Sequence, residues 1–375
     1  MKPHYYCKTC KKVEWVDSKN AGLDFPHKKC ECGGEARGDG LNIEFSSFLG
    51  FNHDKVPDID LNFSSKDLDS PISIQSQVVE EIKKFFPDTV SSIRSGTFSQ
   101  AAEDGLHEKV LSKIPNLEDI IKKETVDLDA LALEMEGVYT NSGQHPGGEL
   151  VWDNTFPVHY CFAFNWVGEY GKKTAITNSV DYHSIEEFAP KLDILGKKDP
   201  ALLKNMAKNC GLEDYIMNNM DFNDPYVYQC MRDISTLIGD KAKELPYKAG
   251  TLGVPELTTE FSRGVIEKCQ PKGFTDLVRL EGLTHGTMVW ELAEPLIVGK
   301  GMKMSEIPWC TRDEMFTFFT KIYGADPTNS FKAIEFIRKG KWSKAPQDLK
   351  SYMKSVLPDW VYDNCTKIKY LFPSA

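Results

Sequence analysis

Three aspartates stand where a carboxylate needs explaining. Asp58 and Asp60 lie one residue apart in "KVPDIDLNF" (residues 55–63), inside an otherwise apolar run, and Asp193 is the lone acid of "KLDILG" (residues 191–196). Residues i and i+2 of a strand share a face. Asp58 and Asp60 therefore crowd two like charges together, and each raises the other's proton affinity unless a cation intervenes. D-x-D also occurs in solvated turns, so the pair alone leaves that reading open. Asp193 weighs against it. An acid inside a short apolar strand needs a partner or a cation, because an unpaired buried charge is costly, and Lys191 stands beside it. Three carboxylates can hold two Mg²⁺ ions about 3.5–4 Å apart, the arrangement that supports in-line displacement at phosphorus.

Four of the ten cysteines fall within the first 32 residues, as C-x-x-C (Cys7, Cys10) and C-x-C (Cys30, Cys32) followed by Gly33-Gly34. Two such pairs about twenty residues apart suit a tetrahedral thiolate zinc site. With four protein ligands it has no open position, so the zinc is expected to be structural. The other six cysteines are scattered singly, as buried reduced thiols are.

Three further stretches carry candidate residues. "SGQHPGGEL" (residues 142–150) reads as a tight turn, or as backbone that Gly147 and Gly148 open to a phosphate or a base, with His145 a hydrogen-bonding turn residue. Arg263 precedes an amphipathic helix in the segment 251–290, where a guanidinium can meet a triphosphate bidentately or pair with Glu260 or Glu267. "FKAIEFIRKGKWSKA" (residues 331–345) has five Lys/Arg against one Glu, which is either a solvated helix face or, given its aromatics, a nucleic-acid surface.

These residues need several elements to position them, and 375 residues is enough for two or three domains. Apolar and charged contents of 41% and 27% are ordinary for a globular chain. No apolar run reaches the eighteen residues of a membrane span, and "MKPHYYCKTC" is no signal peptide, so a cytoplasmic protein is expected. The net charge of −10 disfavours broad nucleic-acid affinity without excluding one basic face. Residues 1–40 are too poor in aliphatics to build a core without a staple. "LNIEFSSFLGF" reads as strand. From about 77 to 140 the apolar spacing is helical, "VHYCFAFNWV" and "KTAITNSVDY" read as strands, and the rest after "KLDILG" reads as short helices.

Taken together, "PHYYCKTC", "DKVPDIDLNFS", "GQHPGG", "YHSI…KLDILG", "GTLGVPE", "LTHGTMVW" and "IRKGK…KIKYLFP" resemble the C-family bacterial replicative DNA polymerases, most closely the PolC type of the DNA polymerase III alpha subunit. They occur in the family's order and span nearly the whole chain.

The resemblance implies an α+β fold: a nucleotidyltransferase-like palm sheet with an inserted helical thumb, a zinc-binding module and largely helical fingers. The expected boundaries are zinc module 1–40, palm 41–75 and 142–197, thumb 76–141 and fingers 198–375. Asp58, Asp60 and Asp193 match the catalytic metal ligands. Arg263, Lys191 and His285 match nucleotide-binding positions, and His145, Gly147, Gly148, Arg338, Lys339 and Lys341 are expected to meet DNA. The expected cofactors are two Mg²⁺ ions and one structural Zn²⁺. The expected substrates are primer–template DNA and dNTPs, with further polymerase segments or replisome subunits such as a sliding clamp as partners. Both chain ends are abrupt and the family's Gly/Ser-rich palm loop is missing, which suggests a piece of a longer or divided polymerase. The alternative is a non-catalytic, zinc-containing DNA-binding remnant or a subunit of a multi-chain polymerase.

Overall fold

The computed structural model describes residues 2–43, 59–65, 73–87, 90–97, 134, 139–152, 160, 163–167, 175–180, 182–216 and 220–372. Asp58, most of the interval expected to be the thumb, and most of "LNIEFSSFLGF" lie outside the described residues. The chain divides into two compact units, one of Met1–His53 with Met217–Ala375, the other of Asp54–Ile216.

The first unit opens with a four-stranded antiparallel sheet of β1 (His4–Cys7), β2 (Val13–Trp15), β3 (Lys28–Lys29) and β4 (Glu35–Asp39), in the order β2-β1-β4-β3. Across residues 2–43 the buried apolar side chains are Pro3, Cys7, Ala21 and Ala36, too few to hold a sheet by burial alone.

The second unit is built on a six-stranded mixed sheet. It contains β5 (Ile59–Ser64), α1 (Ile74–Phe85), β6 (Val90–Thr97), β7 (Tyr139–Leu150), β8 (Phe164–Val167), β9 (Ala175–Asn178), β10 (Lys191–Lys197) and α2 (Asp199–Cys210), with sheet order β5-β10-β7-β6-β9-β8. β10 pairs in parallel with β5 and antiparallel with β7. Ile194, fully buried, faces away from its strand neighbour Asp193, so β10 carries apolar packing on one face and the carboxylate on the other. α1 starts at the Ser73 cap, whose hydroxyl accepts the Ser76 N–H. α2 stops where Gly211 takes φ 69°, in the left-handed region.

Two sequence expectations are corrected here. "SGQHPGGEL" is no turn but the second half of β7, in the interior of the sheet. The helical reading from 77 to 140 fails at β6 and at the start of β7. "VSSIRSGT" has no apolar period of its own, and pairing with β7 across two register shifts decides its conformation.

The rest of the first unit is helical: α3 (Pro225–Arg232), α4 (Ser235–Ile238), α5 (Glu260–Cys269), α6 (Phe274–His285), α7 (Trp290–Glu294), α8 (Arg312–Thr317), α9 (Pro327–Arg338), α10 (Gln347–Val356) and α11 (Asp359–Cys365). Starts are written locally. Asp224-Pro225 and Asp326-Pro327 place a capping acid before a proline at the first helical position, and Thr259 and Thr311 cap α5 and α8. The core is continuous across these helices, with Trp309, Phe319, Ile266, Leu280, Leu283 and Met315 almost wholly buried, each contributing about 1.5–3 kcal/mol. No described helix is long and apolar enough to cross a membrane.

Candidate active site

Asp60 of β5 and Asp193 of β10 are direct register partners on adjacent parallel strands. In-register neighbours of a parallel pair share a face, and so do Lys191 and Asp193, two residues apart. Lys191 Nζ lies 3.1 Å from Asp193 Oδ2 and 4.9 Å from the centre of the Tyr182 ring. Asp193 Oδ1 is buried and takes no hydrogen bond among the described residues. An oxygen with open lone pairs is what a hard cation such as Mg²⁺ uses, and Asp193 Oδ1 offers one beside Asp60. The donor set fits the implied metal.

β7 supplies the floor. His145 Nδ1 accepts the N–H of Gly148 at 2.6 Å, so it holds no proton to give Asp193 Oδ1, 3.9 Å away; that approach is not an ion pair. Gly148 is the register partner of Asp193, and a Cβ there would stand 2.7 Å from His145 Nδ1 and 3.1 Å from Asp193 Oδ1. A Cβ on Gly147 would meet the Ile194 carbonyl oxygen at 2.2 Å. Backbone cannot yield as a side chain can, so Gly147→Ala is expected to push β7 from β10 and cost about 1–3 kcal/mol. Gly143→Ala, which meets nothing within 4 Å, is expected to be neutral. Thermal unfolding of the two variants checks this contrast.

In the other unit, Arg263 lies inside α5, not ahead of it, because Thr259 starts the helix by accepting the Ser262 N–H. Its guanidinium pairs with neither Glu260 nor Glu267. It stacks 4.5 Å from the Tyr247 ring centre and donates to the Thr258 carbonyl, while Glu267 accepts the N–H groups of Lys248 and Ala249. His285, at the C-terminal end of α6, meets Glu256 and Glu281; ligand atoms of the three lie within 4.8 Å of one another. Spacing gives no signal for this contact, because Glu256 stands in a loop 29 residues upstream. Burial opposes protonation of His285, but Glu256 and Glu281 outweigh it and raise its pKa above the ordinary value.

The basic segment is partly neutralised from within. Arg338 forks onto Glu335, with Nε 2.6 Å and Nη2 2.9 Å from its two carboxylate oxygens, and Lys339 Nζ is 3.6 Å from the same group. Lys341 is exposed and has no ion partner among the described residues.

The four N-terminal sulfurs also come together. Cys7 and Cys32 are 3.6 Å apart, Cys10 and Cys30 likewise, and all four Sγ atoms lie within 4.8 Å of one another. Tetrahedral Zn–S bonds of 2.3 Å require S···S of about 3.8 Å, so the cluster fits zinc. The shortened C-x-C works because the chain turns at once: Gly33 takes φ 83°, its N–H bonds the Cys30 carbonyl, and the Cys30 N–H bonds Gly34. The Cys10 N–H, opposed by burial and joined by the Thr9 N–H, lowers the Cys7 thiol to about 6, towards the thiolate a metal needs.

The sequence reading missed Asp24. Its carboxylate accepts the N–H groups of Phe274 and Thr275 and the Thr275 hydroxyl, while Thr275 Oγ1 accepts the Ala21 N–H at 2.8 Å. α6 begins after Gly273, which has no side chain to cap it, and Asp24 supplies the cap from about 250 residues away. The one sequence signal was a helix start lacking its own cap.

Known proteins share sequence with this chain along its whole length. The sequence model of the bacterial DNA polymerase III alpha subunit finger domain matches residues 199–355. The proteins named DNA polymerase III PolC-type from Streptococcus thermophilus, Staphylococcus saprophyticus and Bacillus subtilis are 32%, 33% and 34% identical to it, each alignment covering 100% of this chain and 25% of the relative. The chain thus spans a quarter of the length of the curated relatives it matches. From end to end the chain is similar to one quarter of these bacterial DNA polymerases III of the PolC type, and its residues 199–355 match their finger domain.

Proposed function

We propose that this chain carries the metal-binding palm and part of the fingers of a replicative DNA polymerase that adds dNTPs to a primer 3′ end. The observation that carries this reading is Asp60 in register with Asp193, whose Oδ1 is buried without a hydrogen bond. The PolC-type relatives support it, since they are named for DNA polymerisation. Held by Asp58, Asp60 and Asp193, two Mg²⁺ ions would activate the primer hydroxyl and neutralise charge on the departing pyrophosphate.

The chain's own residues divide the remaining tasks. Lys191 offsets the charge of Asp193 and holds its Oδ2, leaving Oδ1 for a metal. Arg263 and His285 grip the triphosphate of the incoming nucleotide. His145 fixes the backbone at Gly147 and Gly148, which lets primer–template DNA approach β7 closely. Lys341, with Arg338 and Lys339, attracts DNA phosphates. Cys7, Cys10, Cys30 and Cys32 hold a structural Zn²⁺. Further polymerase segments and replisome subunits such as a sliding clamp complete the working enzyme.

The test is primer extension on a primed template with Mg²⁺ and four dNTPs, by this chain alone and with separately made flanking PolC segments. Extension in either arm that stops on metal chelation supports the reading. Absence of extension in both arms sinks it in favour of a non-catalytic DNA-binding role.

A further inference from the structure

The loop of residues 251–258 is tied down at several points. Thr251 Oγ1 donates to the Leu257 carbonyl at 2.9 Å, Thr258 Oγ1 to the Leu252 carbonyl, and Ser262 Oγ to the Glu256 carbonyl at 3.1 Å. At Glu256 the backbone takes φ 64°, and the side chain reaches His285, Oε2 to Nε2, at 3.0 Å while staying 68% exposed. The same loop accepts from Arg263 through the Thr258 carbonyl. One loop therefore offers an oxygen to each of the two cations assigned to the triphosphate.

The surroundings of His285 fix its protonation. Nδ1 is 3.0 Å from both the Glu281 carbonyl and Thr284 Oγ1, and 3.5 Å from Glu281 Oε1. The Thr284 hydroxyl proton is already directed at the carbonyls of Leu280 and Glu281. Nδ1 thus faces only acceptors and Nε2 faces a carboxylate, an arrangement that favours a proton on each nitrogen. The Phe372 ring, 5.4 Å away, adds no charge.

We propose that Glu256 is a built-in competitor for the anion that His285 receives: its carboxylate occupies the Nε2–H that a phosphate oxygen takes, and a polyphosphate displaces it where a single phosphate does not. The proposal rests on the reading that Arg263 and His285 meet the nucleotide's phosphates. A ligand engaging both cations must replace two contacts of one loop, which favours several linked anionic groups. Exposed ion pairs are weak, so the exchange is accessible to a polyanion. Glu256 is in this sense a specificity-determining residue rather than a catalytic one.

The test measures binding of inorganic triphosphate and of orthophosphate to the chain by calorimetry, with the His285 imidazole followed by NMR. The variants are Glu256→Gln, Glu256→Ala and His285→Gln. Expected results are triphosphate binding tightened about two- to five-fold by either Glu256 variant, a larger gain for orthophosphate, and His285 titrating at lower pH. His285→Gln weakens binding. Unchanged or weaker binding in both Glu256 variants, with His285→Gln still harmful, overturns the competitor role alone. If His285→Gln has no effect, the phosphate reading of His285 fails and the proposal falls with it.

Discussion

Asp193→Asn is expected to lower primer extension by at least about 100-fold, as removing a preorganised electrostatic contact to a reacting phosphoryl group does, while leaving the fold as stable as before or more so. The two halves of this prediction have one cause. Asp193 offers Oδ2 to Lys191 at 3.1 Å and buries Oδ1 without a hydrogen bond among the described residues. A buried oxygen left unsatisfied costs about 1–3 kcal/mol. The amide keeps an acceptor for Lys191 and removes the buried carboxylate oxygen that has no hydrogen bond among the described residues. The protein therefore holds a buried carboxylate oxygen that the described residues leave without a hydrogen bond, and such an atom marks a candidate for function. Two measurements check it: extension assays, and thermal unfolding with and without Mg²⁺. Wild type should gain stability on adding Mg²⁺ by mass action, and Asp193→Asn should not. Activity retained in the variant, or an equal Mg²⁺ response, removes Asp193 from the metal site.

What the sequence made legible follows from how local each signal is. Asp193 stood out because an acid in an apolar strand contradicts its surroundings, and the strand placed it beside Asp60 through pairing that the D-x-D spacing only hinted at. The cysteine pairs were legible because ligand spacing is local and a metal demands it. β7 was not. Gly147, Gly148 and Pro146 carry the punctuation of a turn, yet inside a sheet Gly147 serves close approach to the Ile194 carbonyl and Gly148 leaves room for His145 and Asp193. β6 was hidden for the opposite reason: "VSSIRSGT" offers no apolar alternation, and its conformation comes from its neighbour. Contacts that join distant segments, Asp24 to Thr275 and Glu256 to His285, leave no periodicity to read.

Asp24→Ala is expected to destabilise the unit containing the four-cysteine sheet and helices α3–α11 by about 3 kcal/mol, from a lost cap, a lost anion at a helix N-terminus and amides left unsatisfied. No neighbour can take over. Gly273, before the helix, lacks a side chain, and a Cβ there would stand 2.6 Å from Asp24 Oδ1. Thr275 is itself buried and uses its hydroxyl to join the Asp24 carboxylate to the Ala21 N–H. The same seam is backed by His27 Nε2, 3.5 Å from Asp221, and by the edge-on packing of Phe222 against Phe274, with Tyr228 bonding the Phe222 carbonyl at 2.6 Å. For a unit of this size the loss corresponds to a fall in Tm of about 6–12 °C. Asp24→Asn, which keeps one acceptor, should lose roughly half as much. If the four cysteines hold zinc, chelation should act through the same seam, because residues 2–43 bury only Pro3, Cys7, Ala21 and Ala36 as apolar side chains and cannot hold the Asp24 turn without a staple. The decisive comparison is therefore a cycle of chelation and Asp24→Ala, read by thermal unfolding. If a metal-stapled four-cysteine sheet caps α6 through Asp24, the two losses are strongly non-additive, and chelation removes little more from a protein already lacking the carboxylate. Fully additive losses would separate the module's folding from the helix that ends in His285.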